Sequence, residues 1–178
     1  MQTIRRLLPL LLLAWLTPGY AGGLTEEQVK AAYVFNFIKF VEWPSGQTGD
    51  NGEMVLCVVG AEPLGDELGA LDGRQAGGRK LRVVRHESGD DLGKCQAVFV
   101  RASLKQRGLV ILKSLDGAPV LVISDMENFA ERGGDIGLFY RENKTLFEIN
   151  LASLRKKKLQ LPAQVLNLAA NIFGRVTP

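Results

Sequence analysis

Three short apolar runs, Met54–Val59, Ala97–Val100 and Val120–Ile123, together with a predicted strand at Leu81–Val84, alternate with segments of helical or loop character. No other feature limits the possible folds as strongly. A strand apolar on consecutive residues must be covered on both faces, which happens when helices cross over a largely parallel sheet. The expectation is therefore a single α/β domain, with a mixed, mostly parallel sheet flanked by helices on both faces. The mixed part comes late: Ile136–Tyr140 and Thr145–Ile149 form a predicted hairpin around Glu142-Asn143-Lys144. Thr25 is placed to cap a first helix that runs to Glu42, with Glu26 and Glu27 in its first turn. Further helices are expected over 64–71, Ser103–Ser114, Met126–Glu131, 151–157 and 163–173.

The first residues have a different character. Arg5 and Arg6 precede an apolar run from Leu7 to Leu16, a Thr-Pro-Gly bend and the small residues Gly19 and Ala21. That order defines a signal peptide over 1–21, cleaved after Ala21, leaving 22–178 as one exported domain in the periplasm. A membrane anchor would need roughly 20 apolar residues, and this run is too short, so no membrane insertion is expected after cleavage.

Removing the leader's two basic residues from the 22 Lys plus Arg leaves 20, against 19 Asp plus Glu, a mature charge of +1. That balance gives no field for nucleic acid. The one basic cluster, Arg155-Lys156-Lys157-Lys158, is expected on a solvated face near a helix end. Cys57 and Cys95 are the only cysteines, and an even count in an exported chain favours a disulfide over two free core thiols. Such a bond would close a loop of about 38 residues, worth about 4 kcal/mol in the chain-entropy picture. Two distant cysteines and the single His86 are too few for a metal site, and His86 is expected at the surface after a strand.

Catalytic patterns are not assembled. The turn Val59-Gly60-Ala61-Glu62-Pro63-Leu64-Gly65 lacks both the dinucleotide and the Walker patterns, and there is no G-x-S-x-G elbow. Ser124 and Asp125 end one predicted strand and Ser103 follows another, at the sheet edge where α/β proteins bind ligands. Helix capping accounts for Ser103 and Asp125 equally simply. Glu148 alternates with apolar residues in Phe147-Glu148-Ile149-Asn150 and is expected to face solvent. The expectation is a protein that is not an enzyme and carries no cofactor.

Several stretches resemble the YfiR family of periplasmic regulators: KAAYVFNFIKFVEWP at 30–44, LCVVGAEPLG at 56–65, the Cys at 95 before VFV, PVLVISD with Phe129, GGDIGLF at 133–139, and TLFEINLASLRKKKLQLPAQVLNLA at 145–169. The resemblance covers nearly the whole mature chain. It implies an inhibitor that binds the periplasmic region of an inner-membrane diguanylate cyclase, lowering cyclic di-GMP and with it biofilm and exopolysaccharide output. It also implies homodimers, a response to redox state, and that Cys57 and Cys95 match the family's central disulfide pair. The second pair found in relatives is missing here. Phe35 and Ile38 fall off the apolar stripe Val29, Tyr33, Phe37, Phe40 and Val41 of the first helix, which makes them candidates for partner contact or, equally, for burial under another layer of the same domain. The competing reading is a periplasmic small-molecule sensor using the strand ends near Ser103 and Asp125.

Overall fold

The computed structural model describes residues 23–46, 52–60, 63–87 and 91–175; the expected leader over 1–21 lies outside them. Helix α1 (Glu26–Phe40) starts at a capping box: Gln28 N–H donates to Thr25 Oγ1 and Thr25 N–H donates to Gln28 Oε1, both at 3.2 Å. There follow β1 (Met54–Val59), α2 (Pro63–Gly69), β2 (Gln75–Ala76), β3 (Arg79–His86), β4 (Ala97–Val100), α3 (Lys105–Ser114) and β5 (Leu121–Ser124). The chain ends with β6 (Ile136–Arg141), β7 (Lys144–Asn150), α4 (Leu151–Lys156), α5 (Ala163–Leu166) and β8 (Asn171–Phe173).

The eight strands form one sheet in the order β2-β3-β1-β4-β5-β6-β7-β8. Pairing is parallel from β3 through β1, β4 and β5 to β6, antiparallel at β2/β3 and β6/β7, and parallel again at β7/β8. The alternation within β1 shows why its run is apolar throughout. Met54, Leu56 and Val58 pack into one core with α1, α2 and Leu154 of α4, while Val55, Cys57 and Val59 pack into a second core under α3. The expected two-sided α/β architecture is the observed one. No described helix is long and apolar enough to cross a membrane.

Three expectations are corrected. Residues 126–131 make successive turns, not a helix, because Asn128 takes a left-handed φ of 56°. The last predicted helix stops at Leu166, and 171–173 become strand β8, docked when Ala170 N–H donates to Phe147 O at 2.8 Å. Lys157 is buried, not solvated: its Nζ lies 2.6 Å from Asp135 Oδ2 and donates to Val120 O at 3.0 Å.

Asp135 is itself completely buried and fully partnered. It accepts from Val122 N–H at 2.7 Å and from Ser153 Oγ at 2.5 Å. Lys157→Met should leave that carboxylate buried without its counter-charge, and lower unfolding free energy by about 3–5 kcal/mol in a denaturant titration. A loss below about 1 kcal/mol would show that the ion pair is not holding the two parts of the sheet together.

Candidate functional site

Strand register brings one row of residues to the carboxyl edge of the parallel strands: His86, Val59, Val100, Ser124, Gly137, Glu148 and Asn171 are successive partners across the sheet. In open α/β sheets ligands bind beyond this edge, where strand order reverses. Here the reversal lies between β1 and β4, and the stem of Arg101 fills it. A Cβ on Gly60 would lie 2.9 Å from Arg101 Cγ, and Gly60 has a φ of 113°, so a side chain there is excluded twice. Arg101 Nη1 reaches Asp125 Oδ2 at 3.0 Å, and Lys30 Nζ from α1 stands 3.8 Å from the same oxygen. Asp125 Oδ1 accepts from Ala102 N–H at 2.7 Å, so it caps the 3-10 turn Ala102–Leu104 from the neighbouring strand. Ser103 is exposed and provides no cap, contrary to expectation. Ser124 is internal to the fold, donating to Val100 O at 2.6 Å and accepting from Met126 N–H at 3.0 Å.

Glu148 does not face solvent. The alternation along β7 puts it opposite Phe147 and Ile149, but that face of the sheet is also covered, and Glu148 is buried. Gly137 makes room for it: a Cβ there would stand 2.8 Å from Glu148 Oε1. That oxygen accepts from Ala130 N–H at 3.0 Å. Burial pushes the Glu148 carboxyl above its ordinary 4.5, and the negative Glu131 adds to the rise. Hydrogen bonds from the Ala130 and Glu131 backbone and from the Asn171 side chain oppose it. Glu148 forms part of the wall of a cleft of about 460 Å³ with Lys30, Asp125, Asn128, Arg141 and Asn171. The cleft holds charges of both signs, which suits a polar ligand and not an apolar one. Charge paired with apolar neighbours in the sequence hid it.

Cys57 and Cys95 are bonded, with Cα atoms 5.9 Å apart. The bond lies inside the α3-side core, with Cys57 in the middle of β1 and Cys95 just before β4. His86 ends the adjacent β3, one residue pair further along the same face. The ligating atoms of Cys57, His86 and Cys95 all lie within 4.8 Å of one another. The sequence separation of the three residues gave no hint of this meeting, which parallel pairing creates.

On α1 the buried stripe is Ala31, Val34, Phe37 and Ile38, and the buried Val41 follows just past the helix end. Ile38 has no exposed surface and cannot touch a partner; Phe40, expected in the core, is 42% exposed. The helix carries apolar residues around most of its circumference, so spacing alone left its orientation open. Phe35 is half-buried, and the Arg74 guanidinium sits 4.2 Å from its ring centroid.

Residues 27–170 match the YfiR/HmsC-like family. The chain belongs to that family. Its fold is also similar to two solved structures of low identity. One is a conserved domain protein from Vibrio cholerae O1 biovar El Tor (TM-score 0.56, 13% identity, 84% of this chain and 60% of that one). The other is an ABC domain from Streptococcus pneumoniae in complex with L-Trp (TM-score 0.55, 9% identity, 80% and 60%). This YfiR/HmsC-like chain thus spans about 60% of the length of either structure, and the likeness is one of fold.

Two outcomes are expected of the YfiR/HmsC-like domain. The exported protein should weigh two hydrogens less than its thiol form, and reduction should cost about 2–5 kcal/mol of stability; two alkylatable thiols in native material would contradict the bond. Glu148 has a raised folded pKa, so its favourable contribution is complete below about 4.5 and is lost as pH rises through the folded value. The melting temperature of Glu148→Gln minus that of wild type should therefore climb between pH 4 and pH 8. A difference that stays flat with pH would refute the burial argument.

Proposed function

We propose that this domain is a periplasmic repressor that binds the sensor region of an inner-membrane diguanylate cyclase and so lowers cyclic di-GMP and biofilm or exopolysaccharide output. The observation that carries the reading is family membership across 27–170, almost the whole folded domain. Export through the 1–21 leader fits a chain whose two cysteines are bonded. Repression by contact needs a recognition surface and no chemistry, and Arg101, Asp125 and Glu148 at the sheet edge are held in internal pairs and caps. The exposed side of α1 beside Phe35 is the proposed contact, with Arg74 over the ring supplying a positive rim.

One observation favours a second reading, a periplasmic sensor of a small polar molecule. The cleft at Asp125 and Glu148 is concave, polar and placed at the carboxyl edge of β5. The two readings are compatible in one protein, because a ligand there would sit beside the first turns of α1 at Lys30.

A capture experiment with the cyclase's periplasmic region, run beside thermal melts, tests the contact. Wild type should be retained, and Phe35→Ala should bind about 30-fold more weakly, the loss of one interface hot spot, while the fold persists. Ile38→Ala is the core control: it should lose about 2–5 kcal/mol of fold stability, and the fraction still folded should bind normally. A wild-type protein that is not retained would overturn the repressor reading, and full binding by Phe35→Ala would remove Phe35 from the contact.

A further inference from the structure

The geometry points to a redox-gated metal site: once the Cys57–Cys95 bond is reduced, the two thiolates and the His86 imidazole bind one thiophilic d10 cation, zinc(II) or copper(I). The disulfide is the closed form of this site. Three independent features meet there. The ligating atoms of the three residues lie within 4.8 Å of one another. A tetrahedral zinc with thiolates at about 2.3 Å and an imidazole nitrogen at about 2.0–2.1 Å holds its ligands about 3.5–3.8 Å apart, within that spread. Two of the residues stand on neighbouring parallel strands and the third two residues before the next: Cys57 is paired with Val84, His86, two residues further on β3, with Val59, and Cys95 leads into β4. Burial is graded, with Cys57 and Cys95 inside the core and His86 half-exposed at its margin, so the imidazole is the ligand that solvent and an incoming ion reach first.

The chemistry balances without a further cofactor. A dithiol reductant gives two electrons and two protons to the disulfide and becomes a disulfide itself, leaving two thiols on the protein. Zinc(II) or copper(I) then displaces both thiol protons to solvent and takes the neutral imidazole as third ligand, with water in a fourth position when the ion is zinc. A disulfide oxidant then takes two electrons from the thiolates and two protons from solvent, becoming a dithiol while the S–S bond re-forms and the ion leaves. The apolar neighbours of the pair, Val55, Val98 and Leu92 among them, disfavour bare thiolates, so ionisation of both sulfurs waits on the metal. Two thiolates with one imidazole form a donor set that selects such soft or borderline ions over magnesium or calcium. This inference goes beyond the repressor reading and does not need it.

The test uses the full exported protein, reduced with a phosphine and held without oxygen. Cobalt(II) serves as the visible stand-in for zinc, and zinc(II) and copper(I) affinities come from competition with chromophoric chelators in separate arms. One cobalt per chain is expected, with a thiolate-to-cobalt charge-transfer band, and the disulfide form should take up none. His86→Ala should weaken binding at least about tenfold, since loss of an outer-shell partner alone often does so. Two displaced protons predict that zinc affinity rises about a hundredfold from pH 7 to pH 8. Equal binding by the disulfide form, no stoichiometric binding by the reduced form, or indifference to His86→Ala would overturn the proposal. If reduction unfolds the chain, zinc or cobalt must restore the native circular dichroism, and failure to do so overturns it as well. Success with copper(I) alone or zinc(II) alone identifies the ion.

Discussion

The buried pair of Asp135 and Lys157 holds together two halves that local structure would leave separate. Before Asp135 the chain is a mostly parallel α/β sheet ending at β5; after it come a hairpin, two short helices and a three-residue edge strand. Asp135 occupies the place where β6 would otherwise offer backbone to Val122, and its carboxylate takes that N–H directly. The same carboxylate holds Ser153 of α4 and the ammonium of Lys157, which in turn closes on Val120 O. One acidic side chain therefore fixes the start of β5, the start of β6 and the helix that follows β7. The desolvation of both charges is costly, and only complete hydrogen bonding makes the arrangement tolerable. No buried side-chain nitrogen or oxygen among the described residues lacks a partner.

The hairpin that this pair positions turns a plain parallel sheet into one with a concave polar edge. β6 continues past the end of β5, and β7 returns beside it, so Glu148 comes level with Gly137 and Ser124. A carboxylate at that level needs a neighbour without a Cβ, and Gly137 provides it. The reversal point between β1 and β4, where many α/β proteins take their ligand, is closed by Arg101 packed over Gly60. Open space shifts instead to the β5–β6 side, under Lys30 of α1.

Local chemistry was legible in the sequence. β1 and β4 were expected at their observed limits because each is an apolar run bounded by polar residues or glycine, and Thr25 announced the start of α1. What misled was charge, and the partners that neutralise it. Lys157 sits in a basic run, and its acid is 22 residues away across a hairpin. Glu148 lies on the second face of a sheet whose two faces are both covered, so alternation gave its side correctly and its environment wrongly. The exchange of Ile38 and Phe40 between core and surface follows from a helix that is apolar nearly all round. The meeting of His86 with the cysteines, like β8, exists only through strand register, which no local pattern encodes.

Membership in the YfiR/HmsC-like family supports the proposed periplasmic repressor, which would act by contact with its partner. Cyclic di-GMP, quantified in cells that lack this gene and again after the exported form alone is resupplied, tests that account most directly. The account predicts a rise in the deletion strain, reversed by the exported protein and not by a version lacking residues 1–21. Cyclic di-GMP that stays at the parental level in the deletion strain would contradict it.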